Sequence, residues 1–538
     1  MGGPAFFPSP VLTGEEGPTA QRWEVRVLRN PEYRPSPPKP SAWAPPLPQK
    51  AGEGLLRLAL ALGLALAAVP AAADEPASLR QRVEAKLKEA GPGTRFGLVV
   101  ATEDGREIVA IAPDSRFIPA SNTKMFTTAA AFATLPGVDS PDLEGGAAVR
   151  LESRGRGVPD VILEGRGDAR LSSRPDCVQD CLAALADAVA AKTRAVGDVI
   201  GDDSLFPDQR WSPGMSWNNI PTRSGTATSA LSLDDNELPM RVSPATLGQP
   251  PRLELLPYYT VDNRAVTVAA GPTALEFDRL PGTRLLRLTG TIAAGAEPEL
   301  LRLGIDDPAH YAAWRFRSLL EDRGVRVTGE ATARHRALRP ADDPAIRNGA
   351  PPARPPRSEP LARLTPPPLA ADIELTNKVS QNLHAELLLR RVGHQGGTGS
   401  IADGLAAVRA MLERAGVPRP AYDFSDGSGM STYNRVAPRG MVVFLRWAAA
   451  QPWGAAWRSS LPVGGVDGTL ARRFGGTSLE KRLFAKTGTL NASSALSGYM
   501  TARSGRTLLF SVFANDIPQG IRATDAMDAA LVMIAEAN

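Results

Sequence analysis

The sequence contains few residues of the kinds that bind metals or build disulfide-rich scaffolds. Its 538 residues include only 2 cysteines and 4 histidines, without a C-x-x-C pair or a histidine cluster, so a disulfide framework and a zinc site are not expected. Neither sign of charge dominates, because the sequence has 61 Lys and Arg residues and 57 Asp and Glu residues, which gives a net charge of +4. Such a balance does not give the basic stripe of a nucleic-acid-binding protein. We therefore expect no metal, no cofactor and no nucleic-acid partner.

The first 73 residues lack the pattern of a folded domain. Residues 1–50 are rich in proline and have no apolar period, so we expect a disordered extension, or a start site placed too early with the product beginning near Leu56. The apolar run 58–69 follows Arg57 and precedes the small residues 71–73, which is typical of a signal peptide. It is too short for the ~30 Å core of a bilayer, and an uncleaved anchor is the weaker alternative. We expect a signal peptide over 51–73 and export to the periplasm.

Helical spacings and short apolar runs divide the remainder into three parts. Residues 137–356 alternate short strand-like runs with Gly, Pro and Asp, and the proline-rich segment 350–368 marks a boundary. Helix and hairpin patterns flank this part on both sides, so residues 74–136 and 357–538 are predicted to build one α/β domain into which a mostly-β region, 137–356, is inserted. The predicted elements of the flanking parts are helices over 77–89, 121–135, 369–391 and 521–536, and strands over 96–101, 107–111, 496–502 and 506–515.

A serine and lysine pair is the strongest candidate for catalysis. No G-x-S-x-G turn supports a Ser-His-Asp hydrolase, and His384, inside a helical stretch, is interpreted as a packing histidine. The pattern Ser-x-x-Lys occurs at 36–39, 121–124 and 478–481. Two prolines exclude a helix at 36–39, and polar neighbours indicate that 478–481 is exposed. In contrast, Ser121 and Lys124 are at the start of a predicted buried helix and share one face of it. A buried lysine there is able to remove the serine proton if it is neutral.

Two further motifs are candidates for the same site. Lys486-Thr487-Gly488 lies on a predicted strand and offers a second cation, which would lower the pKa of Lys124; the alternative is a strand end with a solvated lysine. Ser380 and Asn382, just before a helical stretch, offer a hydroxyl and an amide that could bridge the two lysines. The same Ser-x-Asn pattern at 216–218 lies among glycine and prolines, and we prefer the second occurrence.

In this order, the three motifs resemble those of penicillin-binding proteins and serine β-lactamases. Further runs narrow the resemblance to the D-alanyl-D-alanine carboxypeptidase/endopeptidase family, peptidase S13, also called low-molecular-mass class C penicillin-binding proteins. That family has an insertion between its first and second motifs, and here a long stretch separates Lys124 from Ser380. The likeness covers essentially everything after Asp74. The runs that carry it are 119–124, 201–206, 426–431 and 468–470.

The resemblance implies both a fold and a set of roles. The fold would be an α/β (α+β) transpeptidase-like domain, an antiparallel sheet flanked by helices, with mostly-β domains inserted after the first motif. The substrate would be the D-alanyl-D-alanine end of peptidoglycan stem peptides, with β-lactams as covalent inhibitors. Gln381 stands where the family pattern has Asp, and we expect little effect. The implied residues are Ser121 as nucleophile, Lys124 as base, Ser380, Asn382 and Lys486 as further catalytic groups, Thr487, Gly488 and Thr489 as substrate-binding residues, and the N–H groups of Ser121 and Thr489 as the oxyanion hole.

Several alternatives stay open at this point. A β-lactamase or esterase on the same scaffold is the rival enzyme, and a cell-wall-binding protein without turnover is the rival of another class. The balance of carboxypeptidase and endopeptidase action, the preferred stem peptide and the oligomeric state are not fixed by the sequence. Cys177 and Cys181 are exported together, but an i, i+4 bridge fits poorly on a regular helix, so a disulfide and two free thiols are about equally expected.

Overall fold

The computed structural model describes residues 77–153, 155, 157–280, 282–353 and 358–538. The expectations for residues 1–50 and 51–73 lie outside this part of the chain. Within it, no helix is both long and apolar enough to cross a membrane.

The helices, in chain order, are α1 Leu79–Lys88, α2 Thr123–Thr134, α3 Leu182–Lys192, α4 Pro308–Glu321, α5 Leu369–Lys378, α6 Asn382–Gly396, α7 Ile401–Arg414, α8 Pro438–Ala449, α9 Gly454–Ser459 and α10 Ala523–Ala537. The strands, in chain order, are β1 Arg95–Thr102, β2 Glu107–Ile111, β3 Ala148–Glu152, β4 Asp160–Glu164, β5 Ala195–Val196, β6 Val199–Asp202, β7 Glu237–Ser243, β8 Arg252–Glu254, β9 Thr260–Asn263, β10 Val266–Val268, β11 Ala274–Arg279, β12 Leu285–Ala293, β13 Glu299–Gly304, β14 Arg326–Val327, β15 Ala331–Arg334, β16 Ala362–Arg363, β17 Tyr422–Asp423, β18 Arg435–Val436, β19 Leu483–Leu490, β20 Ser493–Thr501 and β21 Thr507–Asn515.

A five-stranded antiparallel sheet holds the three motifs in place. Its strand order is β19-β20-β21-β1-β2, so strands from both flanking parts of the chain pair within it. Side chains alternate between its two faces, as strand geometry requires. Leu98 and Val100 of β1 belong to the apolar core with α1 and α10, whereas Val99 belongs to the core with α2 and α8. The predicted α/β fold class, a sheet flanked by helices, is confirmed.

One predicted helix is in fact two. The pattern over 369–391 predicts a continuous helix, but the structure ends α5 at Lys378 and starts α6 at Asn382. Ser380 between them has a φ of 63°, which is incompatible with a right-handed helix and breaks its hydrogen-bond ladder. Gln381 caps the new helix, because its side-chain oxygen accepts a hydrogen bond from Leu383 N at 3.3 Å. The single-helix prediction is therefore wrong at the place where the second motif lies.

The region between the first and second motifs has an apolar core of its own. Its largest sheet has the order β15-β6-β4-β3-β16 and mixes parallel and antiparallel pairs. Helices α3 and α4 contribute Leu185 and Phe316 to the same core as Leu163 of β4. Smaller sheets complete the described part of this region: β13-β7-β8, a group formed by β9 to β12, and the pair β14-β5. The short strand β16, which follows residue 357, pairs with β3, so the returning chain is joined to this sheet.

The two cysteines form a disulfide. Cys177 and Cys181 have Cα atoms 5.7 Å apart, and both lie in the irregular turn that precedes α3. Cys181 is the residue before the first turn of α3 and has an extended backbone. The objection to an i, i+4 bridge applies to a regular helix, and this segment is not one. The structure thus decides between the two alternatives that the sequence left open.

Candidate active site

Ser121 and Lys124 lie side by side at the start of α2. Ser121 belongs to the 3-10 turn Ala120–Asn122, and Lys124 is the second residue of the α-helix that continues it. Lys124 Nζ lies 2.9 Å from Ser121 Oγ, and the lysine side chain is fully buried. The spacing of three residues places both groups on one face, as the sequence predicts.

Lys124 Nζ has two further acceptors within hydrogen-bond distance. It donates to Asn382 Oδ1 and to the Ser428 carbonyl, both at 2.6 Å. Burial lowers the pKa of Lys124 to about 7, although the carboxylates of Asp426 and Glu386 act in the opposite direction. A substantial fraction of this amine is therefore neutral near pH 7, which is the requirement for a general base.

Lys486 lies on β19 and points toward the second motif. Its Nζ donates to Ser380 Oγ at 2.9 Å and to the Thr487 carbonyl at 3.1 Å. Burial, and secondly repulsion from Lys124, hold the pKa of Lys486 well below its usual value. The solvated-lysine alternative is therefore wrong, since this side chain is fully buried.

Strand β19 is an edge strand, and its backbone lies against the turn that carries Ser121. Asn122 Nδ2 donates to the Lys486 carbonyl at 2.7 Å. A Cβ at Gly488 would lie 2.5 Å from the Pro119 carbonyl and 3.1 Å from Ser121 N, so only glycine permits this approach. The backbone of an edge strand offers hydrogen bonds to an extended peptide laid beside it.

The two threonines of β19 lie nearer the surface. Thr487 Oγ1 donates to Thr469 Oγ1 at 2.7 Å, which joins the strand to the turn Gly468–Leu470. Thr489 is exposed. Both threonines are neighbours of Lys486 along the strand and are at least partly accessible to a substrate.

The second motif contacts both lysines, one with each of its polar residues. Ser380 reaches Lys486 and Asn382 reaches Lys124, as the distances above show. Asn382 Nδ2 also donates to the Ser224 carbonyl, in the region between the first and second motifs, at 2.8 Å, so both ends of this amide have partners. The alternative Ser-x-Asn pattern, residues 216–218, belongs to a separate 3-10 turn, on which Trp217 is 67% exposed.

The sequence did not identify three residues beside Lys124. Glu386 Oε1 accepts from Gly427 N at 3.0 Å and from Ser428 N at 2.8 Å, which fixes the Ser428 carbonyl on Lys124. Asp426 holds the same loop by accepting from Gly429 N and Ser431 N. The glycine-rich run 426–431 was the available signal, since two glycines around a serine indicate a tight backbone approach. Glu386 carries no signal of this kind, because it is one polar residue of a long helix.

Known proteins are similar to this chain over a span that includes the whole candidate site. The model of the D-Ala-D-Ala carboxypeptidase 3 (S13) family matches residues 79–537. A D-alanyl-D-alanine carboxypeptidase of Actinomadura sp. (strain R39) is 34% identical over 494 residues, with 88% of each chain covered. The crystal structure of penicillin-binding protein 4 (DacB) from Haemophilus influenzae has a similar fold, with a TM-score of 0.70 and 22% identity over 84% of this chain and 97% of that one. The same protein complexed with a β-lactam has a TM-score of 0.65 at 22% identity and the same coverage. All three motifs lie within the matched span.

Proposed function

The chain belongs to the D-Ala-D-Ala carboxypeptidase 3 (S13) family, and we propose that it cleaves the terminal D-alanyl-D-alanine bond of peptidoglycan stem peptides through a serine acyl-enzyme. The observation that carries the proposal is the buried Lys124 amine 2.9 Å from Ser121 Oγ. The same reaction on a cross-link, in place of a chain end, would be endopeptidase action.

Lys124 is suited to act as the base. A neutral amine has two N–H groups and one lone pair. The two acceptors at 2.6 Å, Asn382 Oδ1 and the Ser428 carbonyl, take the two N–H groups. The lone pair is then left for the hydroxyl proton of Ser121, whose oxygen becomes the nucleophile.

Acylation follows from that arrangement. Ser121 Oγ bonds to the carbonyl carbon between the two D-alanines, and the N–H groups of Ser121 and Thr489 hold the oxyanion. The C–N bond then breaks, and the amine of the departing D-alanine takes up the proton that Lys124 removed from Ser121, with Ser380, whose hydroxyl lies 2.9 Å from Lys486 Nζ, as the relay. Lys124 is then neutral again. Water adds to the ester carbon and gives a proton to Lys124, the ester C–O bond breaks, and Ser121 Oγ takes that proton back.

Recognition of the substrate carboxylate is assigned to β19. Lys486, Thr487 and Thr489 lie along this strand, and the close approach at Gly488 brings them next to Ser121. Asn382 is assigned to orienting Lys124, because its Oδ1 accepts from Lys124 Nζ while its Nδ2 donates to the Ser224 carbonyl.

The expected inhibitors of the enzyme and its expected location in the cell follow from the same reaction. A β-lactam presents a strained amide to Ser121 and would leave a stable ester, and the related Haemophilus protein has been crystallised with such a compound. Peptidoglycan lies outside the cytoplasmic membrane, which agrees with a signal peptide at 51–73 and a periplasmic enzyme. Residues 74–136 with 357–538 would form the catalytic domain and 137–356 the inserted one.

The decisive test combines a substrate and an inhibitor. The protein is incubated with a stem pentapeptide, and mass spectrometry follows the peptide; wild-type protein should remove one D-alanine. With penicillin, wild-type protein should gain one adduct and Ser121→Ala none, while both keep the same melting temperature. Retained labelling in Ser121→Ala would place the nucleophile elsewhere.

A further inference from the structure

His384 is a buried histidine held by two carboxylates. It is 1% exposed, and it follows Asn382 by two residues on α6. Its Nδ1 lies 2.7 Å from Asp372 Oδ1 and its Nε2 lies 2.7 Å from Asp235 Oδ1. Because ionised carboxylates only accept hydrogen bonds, both ring nitrogens donate and the ring is an imidazolium. Burial by itself would lower the pKa of His384, but the two carboxylates outweigh it and raise the pKa to about 10.

The three residues come from three segments that meet at the second motif. Asp372 lies on α5 and His384 on α6, so their contact closes the elbow that contains Ser380. Asp235 belongs to the inserted region. We refer to Asp235, His384 and Asp372 together as the histidine clamp.

The backbone around Asp235 is held in an unusual conformation. Asp234, Asp235 and Asn236 have φ values of 51°, 59° and 50°, and three successive left-handed residues other than glycine persist only where their surroundings fix them. Asn236 is fully buried, with its side chain bonded to Leu233 N and the Ala227 carbonyl. Asp234 accepts from Ser173 N at 2.9 Å. The loop thus presents Asp235 to His384 from a fixed position.

The inserted region holds the second motif at other points as well. The Ser224 carbonyl accepts from Asn382 Nδ2, and an Arg170 guanidinium nitrogen lies 3.9 Å from Asp372 Oδ1. We propose that His384 is a positioning residue through which the inserted region fixes Ser380 and Asn382 for acylation. This inference rests on the proposed function. The insert is then part of the catalytic apparatus and not only a surface for binding.

A cavity beside the clamp permits a chemical test. It has a volume of about 210 Å³, and Arg170, Ser172, Asp234, Asp235, Leu375 and His384 line it. The Asp235 side chain is 34% exposed there. Asp235→Gly would remove the carboxylate without opposing the positive φ, and added formate could replace the lost anion next to His384.

The experiment measures acylation of the full-length protein by a fluorescent penicillin in stopped flow. Asp235→Gly should lower the first-order acylation step about 10- to 100-fold and leave the initial binding constant within about twofold, because the reacting groups are misplaced and not removed. Formate should restore the rate saturably. Asp187→Asn is the control, since its carboxylate also belongs to the inserted region but is 66% exposed and pairs with Arg323, not with His384; it should acylate at nearly the wild-type rate.

A second readout does not depend on activity. Hydrogen exchange of the amides of residues 379–384 should be faster in Asp235→Gly than in wild type, and unchanged in Asp187→Asn. The clamp is refuted if folded Asp235→Gly shows wild-type acylation and exchange, if Asp187→Asn changes both as Asp235→Gly does, or if formate restores nothing. Absence of any acylation in wild type would instead refute the proposed function, and the exchange experiment would still decide whether the clamp holds the second motif.

Discussion

At the scale of single residues, the protonation state of Lys124 controls the proposed reaction. An arginine at this position would keep the positive charge but could not lose its proton. Lys124→Arg should therefore lower the rate of penicillin acylation by about 10²- to 10⁴-fold, the usual contribution of a general base. Stopped-flow labelling at pH 7 measures this. An unchanged rate would remove Lys124 from the base role.

Glu386 should set the pH at which Lys124 becomes active. In its ionised form Glu386 raises the pKa of Lys124, as does Asp426, whereas burial lowers it. Burial also raises the pKa of Glu386 itself to about 7, so its charge forms over the same pH range in which Lys124 loses its proton. Glu386→Gln keeps an acceptor for the Gly427 and Ser428 N–H groups but removes the charge, so the pKa of Lys124 should fall further. The rising limb of the acylation rate against pH should move to lower pH. Glu374→Gln, exposed on α5, is the control and should leave the profile in place.

Side-chain motifs were open to prediction from the sequence, and backbone contributions were not. Ser-x-x-Lys shows its chemistry in its residue types and spacing, and a helix suffices to bring Ser121 and Lys124 together. Ser428 contributes a carbonyl oxygen, which every residue has. Only folding determines that this carbonyl lies 2.6 Å from Lys124 Nζ.

At the scale of elements, the edge strand β19 has to lie close to the turn that carries Ser121. Gly488→Ala would place a Cβ 2.5 Å from the Pro119 carbonyl oxygen and 3.1 Å from both Ser121 N and Ala495 Cβ, which leaves little room to adjust. We expect acylation to fall about 10- to 100-fold from misplacement and the free energy of unfolding to fall by about 1–3 kcal/mol. Labelling rates and urea denaturation measure the two effects. Gly475→Ala, whose added Cβ would have no neighbour within 4 Å, is the control.

Local patterns predicted several elements that carry the site, but not α7, α8 or α9, and the break between α5 and α6 has a tertiary cause. The hairpin predicted over 96–101 and 107–111 is present as β1 and β2, because short apolar runs and a turn at Gly105 are local signals. The break between α5 and α6 has no such signal, since no proline or glycine lies at residues 379–381. Contacts far along the chain hold Ser380 there, among them the one with Lys486 Nζ.

At the scale of the whole molecule, two ion clusters, one buried around His384 and one half-buried around His335, make stability depend on pH. His384 and His335, the latter between Asp203 and Asp307, both have a pKa raised to about 10. Unfolded histidine has a pKa near ~6.5, so the native state binds more protons between that pH and about 10. The stability that these groups contribute is complete below the unfolded value and is lost as pH rises through the folded one. Urea denaturation should show a decline over this window, reduced in His384→Gln and His335→Gln.

The pairing of β1 with β21 has a consequence for how the enzyme is made. Arg95 lies opposite Asn515 in the register of these strands, so the sheet joins the earliest and latest parts of the described chain. A ribosome must therefore synthesise more than four hundred residues after β1 before its partner strand exists. Contacts so distant in sequence form slowly and late. The nascent polypeptide consequently stays without a working Ser121 site throughout translation, and catalytic competence arises only after the last strand has been released.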